Sequence, residues 1–500
     1  MKPPLFITLL LMVMSGAVFA QGLTFDDKAY TNVPQKKSAL VSTSATLPTS
    51  VDLSIYTPSV IDQGELSTCV GVSTTYYMRT MLEANRLGIT NKDSIDKIRF
   101  SPSFVYNVIK DHTDSTCSEG SYIEDALRYM KKSGAVSFTD QGYPWCDANK
   151  KLNPHPDSRI LDYIRIFSLA KRDENIVIST KKALSEGVPV IVGIQTTPSI
   201  DDLGFWKTLW IRILRFFYID SKDKLGLWQP EKSKSLRGGH AICLVGYDDD
   251  TLRFGDGAFK AVNSKGKDYG DGGYFWIRYK DYINHAKYGF QAYVRPKNDT
   301  AKVMLKADIS IDFATFISGT DVPFDHHTIS NTTATDSIQE QLVAYSLRNP
   351  QQTGTQYKFN INVDRQSYLY VLGASNALPN SIDKLFPIDF ISPIIGTNTK
   401  VVLPSEDLNY QLAEPTGTEL WLFLLSETEL DIDQYIIEIK KGKGDFTNRI
   451  IETFGISLVP YNQVSYNTKK IGFELKGKHE GHIVPLLISL NHIKRKRFGF

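Results

Sequence analysis

The chain has 500 residues, 42% of them hydrophobic and 22% charged, which is enough apolar material for more than one packed core. Lys and Arg total 57 against 55 Asp and Glu, so the net charge of +2 leaves no basic field of the kind that binds nucleic acid. Four cysteines exclude a scaffold that depends on disulfides for its fold.

Residues 1–20 carry Lys2, an apolar run from Leu5 to Met14, and then Ala17-Val18-Phe19-Ala20. This is the pattern of a cleavable secretory signal. The run is too short to span a bilayer, and no cysteine follows the cut to carry a lipid anchor. A secreted or periplasmic protein is expected. Residues 21–46, rich in Ser, Thr and Lys, read as a short exposed leader.

Next comes Asp62-Gln63-Gly64-Glu65-Leu66-Ser67-Thr68-Cys69. From Val70 to Leu87 there is no Pro and no Gly after Gly71, and the apolar spacing predicts a helix that Cys69 opens. A thiol at a helix N-terminus meets unpaired N–H groups and the positive end of the macrodipole, which together favour thiolate. Gln63 and the Cys69 N–H are then candidates for stabilising an oxyanion. A lone cysteine is otherwise a small buried hydrophobe, so its partners decide.

A nucleophilic cysteine needs an imidazole to take its proton and a third group to orient the ring. Gly238-Gly239-His240 begins an apolar strand and supplies the first; Asn263, which ends Phe259-Lys260-Ala261-Val262-Asn263, supplies the second. Cys243, inside the strand after His240, reads as buried and inert. Helical patterns dominate from residue 70 to 134 and short strands from 188 to 293, an α+β order. Between them, Trp206, Trp210, Ile213, Leu214 and Phe217 share one face at helical spacing, with Lys207, Arg212 and Arg215 beside it. This stretch is either an insertion helix packed on the domain or, through residues 205–218, a membrane-surface contact.

Past residue 300 the pattern becomes alternating strands, at 357–363, 368–372 and 419–425, separated by turn residues. No His, Cys, Asp or Glu cluster there has metal-ligand spacing. The terminal Lys494-Arg495-Lys496-Arg497 cluster reads as a solvated tail.

Gln63, Cys69, His240 and Asn263, in that order, resemble the catalytic set of the papain-like cysteine peptidases. The runs 101–107 and 276–281 look like its secreted bacterial members. The resemblance implies a two-lobed fold over residues 47–297, with a helical lobe carrying Cys69 facing a β-barrel-like lobe carrying His240 and Asn263. The Cys-to-His and Cys-to-Asn intervals, about 170 and about 190 residues, exceed the roughly 130 to 150 of the family; an insertion at 203–237 accounts for the excess. It further implies a peptide or protein substrate, no cofactor and no metal, with Glu119, Gly120 and Gly239 lining the substrate groove. Cys117 and Cys146 lie where the family often carries bridged cysteines, though each there commonly has another partner; in an oxidising compartment they are expected to pair, the alternative being two free thiols. Residues 301–500 resemble a β-rich module of unknown function attached to secreted or surface bacterial proteins, which implies binding of another protein or the cell surface.

Four positions depart from the family pattern. Lys265 and Tyr269 stand where tryptophans are usual, Val70 follows the nucleophile in place of Trp, and Glu119 replaces a glycine. The expectation is an exported cysteine endopeptidase working through an acyl-enzyme. The alternatives are a catalytically weakened peptide-binding protein on the same scaffold, or an acyl transferase or amidase acting on cell-wall peptides.

Overall fold

The computed structural model describes residues 22–36, 47–147, 152–170, 172–203, 226–231, 236, 238–250, 254–296, 303–314, 322–330, 341–405 and 407–495. The signal sequence, the aromatic stripe at 206–217 and the last residues of the basic tail lie outside them. The chain forms two compact units, Met1–Thr31 with Pro48–Arg295, and Asn32–Leu47 with Pro296–Phe500.

The first unit is built on one mixed sheet. Its strands are β1 (Gly22–Leu23), β2 (Ser50–Asp52), β3 (Asp162–Arg165), β4 (Val190–Thr196), β5 (Leu227–Trp228), β6 (Gly238–Asp248), β7 (Ala258–Val262), β8 (Tyr274–Arg278) and β9 (Ala286–Tyr293). They lie in the order β3-β9-β4-β6-β7-β8-β5, with β1 and β2 both pairing with β6. All pairs are antiparallel except β5 with β8. Strand β6 is buried from Gly239 to Tyr247, which is why its sequence is nearly continuous in apolar residues rather than alternating.

The helices are α1 (Asp27–Asn32), α2 (Cys69–Gly71, Val72–Arg79 and Thr80–Leu87 in succession), α3 (Lys92–Lys97), α4 (Pro102–Ile109), α5 (Ile123–Lys132), α6 (Glu174–Ser185) and α7 (Tyr279–His285). The predicted helix from Cys69 to Leu87 is present, but its middle stretch is wound as a π-helix. Helix α4 starts as its sequence dictates, with Pro102 in the first turn and the Ser101 hydroxyl accepting from Phe104 N–H at 3.2 Å. Helix α2 ends at Gly88, which takes the left-handed conformation (φ 70°).

The second unit is two sheets around one core. The first contains β10 (Val303–Phe313), β13 (Gln356–Val363), β17 (Thr399–Leu403), β18 (Tyr410–Gln411), β20 (Val464–Tyr466) and β21 (Gly472–Lys476). The second contains β11 (Phe324–Ser330), β12 (Gln341–Gln352), β14 (Ser367–Ser375), β15 (Leu378–Phe386), β16 (Ile394–Ile395), β19 (Gly417–Ser426) and β22 (Ile483–Ile493). Alternate residues of β10 and β13, Leu305, Ile309, Phe359 and Ile361 among them, join Tyr345, Leu369, Phe423 and Leu486 of the second sheet in one hydrophobic cluster. Helices α8 (Ile432–Lys441) and α9 (Phe446–Phe454) follow β19. The region is β-rich, as its alternating sequence predicts. Among the described residues no helix is long and apolar enough to cross a membrane.

Candidate active site

Cys69 is the first residue of α2, and the residue before it does not consume the helix's orphan N–H groups. The Thr68 hydroxyl bonds instead to Tyr143 Oη at 2.7 Å, so the first-turn donors stay directed at the thiol end. Helix and sheet meet here: Ser73 Oγ donates to Ala241 O at 2.7 Å, and Ala241 N–H donates to Cys69 Sγ at 3.5 Å. The residue that touches the sulfur is therefore the one next to His240 on β6.

His240 Nε2 lies 2.8 Å from Asn263 Oδ1, and the same oxygen accepts from Ser264 N–H at 2.8 Å. That backbone donor fixes the amide's orientation, because only an oxygen accepts from it. Nε2 must then carry the imidazole hydrogen, which leaves Nδ1 as the basic nitrogen. Asn263 is in turn held by its carbonyl, which accepts from Tyr77 Oη at 3.0 Å. Tyr77 belongs to the π-wound part of α2 and also receives Ile61 N–H at 3.2 Å, so one side chain ties α2, Asn263 and the Gln63 segment together.

Gln63 is fixed by contacts to Ser264 and Leu66. Its N–H donates to Ser264 O at 2.7 Å, its Nε2 donates to Leu66 O at 2.7 Å, and its Oε1 accepts from Ser264 Oγ. Cys69, His240, Asn263 and Gln63 are all buried.

The thiol is not in the state expected from helix position alone. Burial pushes the Cys69 thiol up to about 12, outweighing the N–H groups of Ala241, Val70 and Cys69 and the charge of Lys265, all of which pull the other way. Helix-terminal donors stabilise a thiolate only relative to its surroundings, and here those are dry. Lys265 itself is ion-paired with Asp201, so its charge is partly compensated before it reaches the site. Cys243 is buried as expected, and burial raises its thiol too.

Cys117 and Cys146 form a disulfide with Cα atoms 5.9 Å apart. The bridged loop is attached to the segment before Cys69: Ser67 N–H donates to Cys117 O at 2.8 Å and Ser67 Oγ to Ser118 O at 2.7 Å. Glu119 presents backbone rather than carboxylate inward, since Tyr106 Oη donates to its carbonyl at 2.6 Å while its side chain faces solvent.

Gly120 and Gly239 flank a groove beside Ser67, and the chain's own leader lies in it. Gly22 and Leu23 pair with His240 and Gly239 on one side. On the other, Thr24 N–H donates to Ser121 O at 3.0 Å and Ser121 N–H to Gly22 O at 2.9 Å. A Cβ on Gly239 would stand 2.4 Å from Leu23 O, so glycine is required for this approach; Gly22, at φ 65°, is pressed as closely on Ser67 O. Behind the strand, Phe25 packs edge-on to Tyr288 (5.0 Å), and Tyr30 stacks on Tyr288 (4.4 Å) and donates to Phe167 O at 2.8 Å.

Among the described residues of the leader, Leu23 and Tyr30 are thus buried and Gly22, Thr24 and Phe25 partly covered, while residues 26–28 are exposed. The leader's Ser, Thr and Lys lie mainly after residue 31, whereas Leu23, Phe25 and Tyr30 near its start carry the apolar surface, and composition averaged over 21–46 hides the division. Sequence reasoning also missed Ser264 and Tyr77, which hold the predicted residues in place. Ser264 was findable as a hydroxyl adjoining Asn263; Tyr77 has no local signal, since its bond to Asn263 O spans 186 residues of chain.

A domain of unknown function (DUF4384) matches residues 351–429. Comparison with curated proteins gives no match. Among solved structures, the chain is similar to xylellain, a cysteine protease from Xylella fastidiosa, at 21% identity and TM-score 0.39, covering 55% of this chain and 97% of that one. It is likewise similar to digestive procathepsin L 3 of Tenebrio molitor larval midgut (20%, TM-score 0.37, 53% and 77%) and to bromelain from Ananas comosus in complex with the E64 inhibitor (17%, TM-score 0.36, 49% and 99%).

Proposed function

We propose that the chain is an exported cysteine peptidase whose groove is occupied by its own leader. The observation that carries the reading is the doubly fixed Asn263 Oδ1, which sets the His240 tautomer beside a cysteine at a helix N-terminus. In this reading Nδ1 of His240 takes the Cys69 proton and the sulfur attacks a peptide carbonyl. The Cys69 N–H and the Gln63 amide receive the oxyanion, the imidazolium protonates the departing amine, and water then resolves the acyl-enzyme. Export rests on the residue 1–20 pattern and accords with the Cys117–Cys146 bridge.

The groove is lined as an extended peptide requires, by backbone of Gly239 and Ser121 on opposite sides, and residues 22–24 already use both edges. Substrate must displace them, so the leader-bound form is latent.

The rival, a peptide-binding protein without turnover, has one observation in its favour, the buried and raised Cys69 thiol. Treating the mature protein with a thiol-reactive peptidyl epoxide, before and after leader removal, separates the two. Covalent modification mapped to Cys69 after removal supports the peptidase; an inert Cys69 in the leader-free, folded protein overturns it.

A further inference from the structure

The second unit carries a cavity of about 320 Å³ between the β14–β15 hairpin, the segment around Tyr410 and the start of β19. Its size is at the small end for ligand sites, suited to a group of amino-acid size rather than an oligosaccharide. Three rings form part of its wall. Tyr357 and Trp421 have centroids 4.9 Å apart and Tyr357 and Tyr410 5.6 Å apart. The polar tip of Tyr410 is already used, since it donates to Leu385 O at 3.0 Å, so this ring offers the cavity hydrocarbon and π-face rather than a donor.

The rest of the wall is charged with one sign. Asp383, Glu414 and Glu419 line the cavity, and no Lys or Arg does so among the described residues. The two glutamates are linked behind it: Glu419 Oε1 lies 3.0 Å from His492 Nδ1, His492 Nε2 lies 2.9 Å from Thr353 Oγ1, and Thr353 Oγ1 donates to Glu414 Oε1 at 3.1 Å. This network holds two carboxylates in fixed positions. Asp383 has no side-chain partner of its own among the described residues. Burial holds the Glu419 carboxyl above the usual carboxylate range, and the charge of Asp383 adds to that. Asp383 and Glu414 are exposed at the cavity's rim and Glu419 is half-buried, while Tyr410 is the more open of the three rings. A cation on an apolar stem satisfies both features, through ion pairing and cation–π attraction at once.

We propose that this cavity binds a primary ammonium or guanidinium carried on an aliphatic stem, either a free amine or the side chain of a lysine or arginine in a polypeptide. A neutral sugar presents no charge to Asp383, Glu414 and Glu419, so glucose is the control that separates the two ligand classes.

The test is calorimetric titration of the full chain at low salt with cadaverine, agmatine and a short blocked lysine peptide, with 1-pentanol and glucose as neutral controls. Saturable binding of at least one cationic probe is expected, weakened about tenfold or more in the Asp383→Asn/Glu419→Gln variant and by added salt. Binding by the free amines alone assigns a small-molecule ligand; binding by the peptide alone assigns a polypeptide. Because both substitutions lie in the second unit, loss of affinity in the double variant distinguishes this cavity from the peptidase groove whatever becomes of Cys69. An unchanged unfolding midpoint shows that the variant is folded. No saturable binding by any cationic probe up to about 10 mM, binding indifferent to the double substitution, or glucose binding that the substitution abolishes overturns the proposal.

Discussion

Glu124 offers the sharpest test of how the leader is held. It lies in the first turn of α5, three residues after Ser121, and is 2% exposed. Neither carboxylate oxygen makes a hydrogen bond of good geometry among the described residues. Burial pushes its carboxyl from 4.5 up to about 7; Asp125 and the leader's Asp26 add like charge, and Glu124's own backbone N–H and Arg128 only partly offset them. At 1.36 kcal/mol per pH unit this gap corresponds to about 3 kcal/mol. The sign follows from linkage. Below pH 4.5 both folded and unfolded states are protonated and no penalty applies; between 4.5 and about 7 only the unfolded state ionises, so stability falls as pH rises, and above about 7 the penalty is complete. Glu124→Gln keeps a polar side chain but removes the titration. Thermal unfolding of the two proteins from pH 4.5 to 8 should show the wild-type midpoint dropping relative to the variant by on the order of 5 to 10 °C. Because Asp26 faces the same carboxylate, protease protection of the leader should decline over the same range in the wild type and stay level in the variant. Midpoints that move in parallel across the range would refute the argument.

Cys69→Ala should abolish epoxide labelling and hydrolysis with an unchanged circular dichroism spectrum, whereas Asn263→Ala should lower kcat by a smaller factor, since it leaves an imidazole that is less well oriented; equal losses from the two would contradict the role given to Asn263. Tyr30→Ala removes a fully buried ring and its bond to Phe167 O, of the order of 3 kcal/mol or more, and should speed alkylation of Cys69 tenfold or more by undocking the leader; an unchanged rate with a protease-sensitive leader would show that residues 22–25 do not shield the thiol. Replacing Cys117 and Cys146 by Ser frees a 29-residue separation and should cost about 3 kcal/mol of stability in the first unit, measured by denaturant midpoint under oxidising conditions.

Much of the site was legible because chemistry constrains residue type. Residue chemistry singled out a thiol, an imidazole and an amide, the resemblance to the papain-like peptidases supplied their chain order, and Asn263 does meet His240. Gly120 and Gly239, which the family resemblance implied line the substrate groove, are places where another stretch of backbone comes close. The strands at 357–363 and 419–425 were visible from period and composition. What stayed hidden depends on contacts between distant segments. No local pattern announces that Gly22-Leu23 will add to the edge of β6, because a two-residue strand has no periodicity to detect. Tyr77 carries no local mark of its role, because the bond it makes to Asn263 O joins positions 186 residues apart.

The thiol shows why type and placement do not fix reactivity. Cys69 has the donors that lower a thiol's proton affinity, yet it is held neutral because the field of an N-terminal turn is weaker than the loss of water around a sulfur with no exposed surface. In the reading proposed above, part of that exclusion is assigned to residues 22–25, which pair with Ser121 on one side and His240 on the other and of which Leu23 is buried. Removing them would leave the N–H groups of Val70, Cys69 and Ala241 in place and reduce only the opposing burial. In the proposed peptidase, then, the catalytic residues are assembled before activation, and the leader controls the one variable that remains, the solvation of the sulfur.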